Sequence, residues 1–195
     1  MKPEHLAHCV ALLRQAGIQL ERGLSTRELK SVERLFHLRF PPDLKALLQA
    51  ALPVSPPFPD WRAALSSPDA RGQIQDRLDW PMEGFLTEVE QQGFWLAHLW
   101  GPMPAAVPDR VLRVREAFAG YPPLIPVCAH RFLPSAPHEA GNPVYSVFQA
   151  DIQFYGFDLA AYLAHEFHGA LPAGYSPALF PRRIPFWEDV ARHVK

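Results

Sequence analysis

This chain is poor in cysteine: Cys9 and Cys128 are the only two among 195 residues. Two thiols so far apart in sequence make no disulfide framework, and no Cys pair or Cys/His cluster has the spacing of a zinc site. Long hydrophobic runs are missing as well; none approaches the ~18 consecutive apolar residues of a membrane span. Nor does charge of one sign dominate. Nineteen Lys and Arg stand against 20 Asp and Glu, for a formal net charge of -1 and a pI near 6.8. That balance supplies no long-range field toward nucleic acid or an anionic membrane. The opening "MKPEHLAHCVALLRQAG" carries charges and histidines within its apolar pattern, unlike a signal peptide. The expectation is a soluble, cytoplasmic protein with no membrane contact and no direct nucleic-acid binding.

Motifs of common chemistry are absent too. Neither G-x-x-x-x-G-K-[ST] nor G-x-G-x-x-G occurs, so no phosphate-cradling loop is signalled. There is no G-x-S-x-G nucleophile elbow. "HEFH" places His165 and His168 three apart, but two imidazoles alone make a poor metal site. They are expected to face solvent at a helix end, and the same reading covers His5 and His8. Cys128 and His130 would share one face if a strand ran through both, permitting a thiol–imidazole pair. The apolar "LIPVCA" instead suggests a buried, inert thiol. No cofactor and no metal are expected.

What is present is ample core material, 48% hydrophobic residues, and 22 prolines that punctuate short elements. Leu6, Cys9, Val10 and Leu13 fall at helical spacing, and Gly17 stands where a C-terminal cap belongs. In "LSTREL", Ser25 and Glu28 form a capping box flanked by Leu24 and Leu29 as a hydrophobic staple. Pro42 suits the first position of a helix that turns Leu44, Leu47 and Leu48 inward. "PVSPPFPDW" is an ordered loop anchored by Phe58 and Trp61, and Ser67-Pro68-Asp69 starts another helix carrying Ile74 and Leu78. "GFLTEVEQQGFWLAHLW", rich in β-branched and aromatic residues, predicts one strand, or two joined near Gln92-Gly93. Val111, Val114 and Phe118 mark a further helix, and "LIPVCA" a buried strand.

The stretch "GNPVYSVFQADIQFYGFDLAAYL" predicts strand, turn at Ala150-Asp151, antiparallel strand, then a helix capped by Asp158. Leu159, Tyr162, Leu163 and Phe167 form the buried face of that helix, and Gly169 can end it. A short tail helix is docked by Phe186, Trp187 and Val190. Strands gathered in the middle with helices at both ends predict an α+β fold in a single domain over 1–195.

Two segments resemble a known family. "GLSTRELKSVERLFHLRFPPDLKALL", a capped helix, a loop with a proline pair and a second helix, looks like the opening of the SUKH superfamily (Smi/Knr-like proteins). "DWPMEGFLTEVEQQGFWLAHLWGPMP" and "YPPLIPVCAHRFLPSAPHEAGNPVYSVFQADIQFYGFDLAAYL" are similar to a bacterial branch of it. The resemblance covers residues 24–168, leaving 1–20 as a helical extension and 170–195 as a tail. It implies a twisted, mostly antiparallel sheet flanked by helices. It also implies a non-enzymatic protein-binding role, in bacteria often as an immunity protein that neutralises a toxin domain. The candidate binding residues are Trp80, Trp95 and Trp100 from the aromatic segment, with His130, Arg131, Asn142, Gln149 and Asp151 from the matched motifs. Asn142 can brace the turn before Pro143, and Arg131 can pair with Asp151 or Glu139. Two rivals stay open: an enzyme or small-molecule binder using a cleft at His130, Arg131 and Asp151, and a scaffold that associates with itself.

Overall fold

A computed structural model of the chain describes residues 2–193. It begins with α1 (Pro3–Gln15), β1 (Leu20–Arg22), α2 (Thr26–Leu35), α3 (Pro42–Ala50) and β2 (Ala51–Pro53). A short 3₁₀ turn (Ala63–Leu65) leads to α4 (Pro68–Gln91), α5 (Ala97–Trp100) and α6 (Val107–Phe118). Next come β3 (Leu124–Cys128), β4 (Arg131–Pro134), β5 (Val144–Phe148), β6 (Asp151–Gly156), α7 (Leu159–Glu166) and α8 (Trp187–His193). The main sheet has the order β3-β4-β5-β6, every pair antiparallel, and β1 pairs with β2 in a separate antiparallel ribbon. The fold is α+β.

Helices cover both sides of the four-stranded sheet. Ile125, Val127, Leu133 and Val144 pack with α1, α2, α3 and α7. Leu124, Phe132, Tyr145, Val147 and Ile152 pack with the second half of α4 and with α6 and α8. β3 and β4 are accordingly buried along their whole length, which is why they read as apolar runs and not as alternation. In the first layer Trp61 stands edge-on between Phe36 and Phe40, at 5.9 and 5.0 Å, the geometry that aligns a positive ring edge with a negative face. In the second, Trp187 docks α8 by donating from Nε1 to the Pro122 carbonyl at 2.7 Å.

Local signals set the element boundaries. The Ser25 hydroxyl accepts from Glu28 N, and Glu28 Oε2 accepts from Ser25 N at 2.7 Å, closing the capping box. Asp158 caps α7 by accepting from Ala161 N at 2.8 Å. Gly17 takes φ +76° just past α1, and Gly93 φ +67° just past α4.

The strand expected in "GFLTEVEQQGFW" is instead the second half of α4, which runs through Pro81 to Gln91. Ile74, Leu78, Pro81, Phe85 and Val89 recur every three to four residues, and that spacing outweighs their β-branched and aromatic character. The chain reversal falls on Gln149-Ala150, one residue earlier than expected, with Gln149 at φ 54°. His168 at φ 51°, not Gly169, takes the left-handed position after α7. His5 is buried at 7% exposure, contrary to its expected place in solvent.

Glu28 also receives Arg22 at 3.0 and 3.1 Å and Arg62 Nε at 2.9 Å, and these donors hold its carboxyl far below the usual carboxylate range. A depressed folded-state pKa contributes stability that is complete above the unfolded value near 4 and is lost as pH falls toward the folded value. Glu28→Gln is expected to cost about 1 kcal/mol at pH 7, the pairs being partly solvated. It should also flatten the loss of stability between about pH 5 and 3. Urea titrations of both proteins across that range measure both effects; parallel curves would refute this role.

Candidate functional site

The two hairpin turns of the sheet, Ala129-His130 and Gln149-Ala150, lie at the same end of the strands because consecutive antiparallel strands bring them there. α4 crosses beside them. Its Ser67 cap and Pro68 start the helix, and Arg77, Trp80 and Gly84, at i, i+3 and i+7, share one helical edge. Gly84 permits the approach: a Cβ there would lie 2.8 Å from Gln149 Cα. One turn earlier the helix and the turns part, leaving a cleft of about 330 Å³ lined by Arg77, Trp80, Ala129, His130, Phe132 and Phe148.

Phe132 is the buried floor, whereas Trp80 and Phe148 are 46% and 58% exposed at the mouth. Arg77 is fixed by donating to the Pro57 carbonyl at 2.6 Å, which also accepts from Ala129 N at 3.0 Å. His130 is pushed below its ordinary pKa by partial burial and by the adjacent Arg131 cation, so it is largely neutral at pH 7. The cleft thus offers two exposed aromatic faces, a guanidinium and a neutral imidazole.

The other sequence-derived residues are dispersed. Arg131 and Phe132 point to opposite sides of β4, as neighbours on a strand must. Arg131 lies under α7, donating from Nε to Glu166 Oε2 at 3.2 Å and from Nη1 to Ser146 Oγ at 2.9 Å, with its guanidinium 3.5 Å from the Tyr155 ring centroid. Its acidic partner is therefore Glu166, not Asp151 or Glu139. Asp151 is exposed and accepts from Gln153, while Glu139 pairs with Arg182. His130, Arg131 and Asp151 are not gathered in one cleft.

Asn142 sits fully buried at the opposite end of the sheet. It donates to the carbonyls of Pro134 and Pro137 at 3.0 and 2.9 Å and accepts from Arg182 at 2.7 Å. Gln149 is the turn residue against Gly84. Trp95 and Trp100 pack on one another at 5.1 Å, and Trp100, 2% exposed, donates to the Tyr121 hydroxyl at 3.0 Å. Of the eight residues, Trp80 and His130 line the cleft and Gln149 shapes its end.

Cys128 ends β3 inside the core, its thiol pushed up to about 11 chiefly by burial, while His130 sits exposed in the turn that follows. Those two do not form a nucleophile–base pair. Among the described residues there is no group of three or more His, Cys, Asp or Glu able to hold a metal ion, and no helix is long and apolar enough to cross a membrane.

Sequence reasoning missed Arg77 and Phe148 as cleft residues. The i, i+3 spacing in "RLDW" was the available signal for Arg77; Phe148 reaches the cleft only through the three-dimensional placement of its turn. Comparison with models of protein families, with curated proteins and with solved structures finds no match for this chain.

Proposed function

We propose that the chain is a cytoplasmic protein-binding module of the SUKH type, and that the cleft between α4 and the two hairpin turns receives its partner. The observation that carries this reading is the pairing of Trp80 and Phe148, large aromatic rings left half in solvent on either side of a preformed hollow. Burying such rings on association gains far more than burying scattered surface residues, and Trp and Arg dominate binding hot spots. An apolar partner side chain fits over Phe132, and a carboxylate next to it meets the remaining donors of Arg77. The sequence resemblance makes a toxin domain the partner class, and the chain its immunity protein.

The test is affinity capture from native cells with wild type beside Trp80→Ala and Phe148→Ser. Each substitution removes an exposed side chain, so folding should change by no more than about 0.5 kcal/mol. Binding should weaken about 30-fold, the effect of losing a hot spot of about 2 kcal/mol. A partner retained undiminished by both variants refutes the cleft as the docking site. Capture of further copies of the chain alone transfers the reading to self-association, which the 86% and 80% exposure of Leu179 and Phe180 favours.

A further inference from the structure

Leu179 and Phe180, at 86% and 80%, are the most exposed large apolar side chains among the described residues. They form the apex of a loop that is anchored on both flanks. On one side Tyr175 N donates to the Pro172 carbonyl at 3.0 Å, and the Tyr175 ring meets His5 edge-on at 5.0 Å. On the other, Arg182 donates from Nη1 to Asn142 Oδ1 at 2.7 Å and pairs through Nη2 with Glu139 Oε2 at 3.1 Å. Pro177 and Pro181 bracket the apex and fix φ at each end, so little backbone freedom is left to lose on contact. Two adjacent apolar side chains held out in this way are unfavourable in water and gain free energy on burial.

The loop lies at the Asn142 end of the sheet, whereas the cleft of Trp80 and Phe148 lies at the hairpin-turn end. The five residues of β5 separate those ends by about 17 Å, and the two anchors keep the apex from folding back. The chain cannot fill its own cleft, but a second copy can. The cleft offers about 330 Å³ over Phe132, between two half-exposed rings, room for one large apolar side chain and part of its neighbour. Charge matches as well. Arg77 at the cleft is in no ion pair among the described residues. Glu139, held beside the apex by Arg182, is 66% exposed and leaves its Oε1 for such a guanidinium. Arg183 is neutralised by Glu188 at 3.1 Å, so the apex does not repel Arg77.

We infer that the chain associates with itself head to tail, Leu179 and Phe180 of one copy entering the Trp80–Phe148 cleft of the next. The inference rests on the cleft being a docking site and adds a second copy as an occupant, displaced when the proposed partner binds. Apex and cleft are different surfaces, so the contact is heterologous. Each added copy brings a fresh apex and a fresh cleft, and assembly proceeds copy by copy instead of stopping at a two-fold dimer. A single loop apex covers far less than the ~800 Å² per partner of a standard interface, so the contact is weak and reversible.

Sedimentation velocity of the purified full chain, from about 10 μM to about 1 mM, tests this. The weight-average mass is expected to rise continuously and to pass about twice the monomer mass at the upper limit. Leu179→Ser with Phe180→Ser removes the apex, and Trp80→Ala with Phe148→Ser removes the walls of the cleft. Each pair should leave the melting temperature unchanged and weaken association about 30-fold. Mixed in equal amounts, the two variants should form a mixed dimer and nothing larger, because only one intact apex can meet one intact cleft. Should the cleft variant fail to fold, a peptide of residues 176–183 decides, since it should cap the clefts of the wild type and return it to monomer. The inference is overturned if wild type stays monomeric at about 1 mM, if either variant associates as strongly as wild type, or if the mixture stays monomeric. A monomeric wild type that still captures a cell partner through Trp80 and Phe148 overturns the self-contact alone and leaves the cleft a docking site.

Discussion

Replacing Arg131 with alanine is expected to cost the protein about 3 kcal/mol, at the lower edge of the range for breaking a buried ion pair. The Arg131 side chain is 10% exposed and that of Glu166 25%, so the pair is partly shielded from solvent. Alanine would strand the Glu166 carboxylate and the Ser146 hydroxyl and remove the cation over Tyr155. The residual exposure of Glu166 lets water reach the stranded charge, which keeps the cost from going higher. Because two charges must be desolvated to form the pair, Arg131→Met with Glu166→Met should recover most of the loss. Urea unfolding of wild type, single and double variants gives the comparison. A single variant within about 0.5 kcal/mol of wild type would show that Arg131 is no brace.

Gly23→Ala is expected to be of similar severity for a different reason. Gly23 follows β1 and lies flat on the last turn of α3, where Leu24 N donates to the Leu48 carbonyl at 2.7 Å. A Cβ on Gly23 would overlap the Gln49 carbonyl group, which is backbone and has no rotamer to yield. Withdrawing the strand gives no relief. Arg62 holds the carbonyls of Arg22 and Gly23 at 2.8 and 3.0 Å from another direction, and β1 is tied to β2. Forced backbone displacement of this kind costs about 3 kcal/mol, or roughly 6–12 °C in Tm for a chain of this size. Gly72 supplies the opposite sign. It lies inside α4 with nothing within 4 Å of an added Cβ, so Gly72→Ala should stabilise by about 0.5–1 kcal/mol. Thermal melts of both variants settle the matter; equal and small shifts would refute the steric account.

The elements legible in the sequence were those whose signals are local. Ser25 with Glu28, Pro42, Gly17 and Asp158 each act within one helical turn, and the β5–β6 hairpin is stated by its own alternation and short turn. The ribbon of β1 and β2 was not legible. Each strand is three residues long, and their pairing joins segments about 30 residues apart through α2 and α3. The partner of Arg131 was misread for a geometric reason. In register, Arg131 stands opposite Ser146 and Ser146 opposite Gln153, so Asp151 lies two residues further along β6. α7, folding back over the sheet, brings Glu166 closer. The cleft was half legible: Trp80 and His130 belong to recognisable segments, but only the crossing of α4 over two turns joins them to Arg77 and Phe148.

The docking of α8 has a consequence for synthesis on the ribosome. Phe85, Phe132 and Tyr145 share a cluster with Trp187 and Val190, residues made after the whole sheet. At about 5–20 residues per second, the roughly 34 residues from Gly156 to Val190 take about 2–7 s to add. A four-stranded sheet can pair within that time, so the part of its aromatic side that α8 covers, beside α4 and α6, stays open until α8 emerges. During this interval the nascent chain should be a client of ribosome-associated chaperones, and its yield should depend on them far more than the purified protein's stability would suggest.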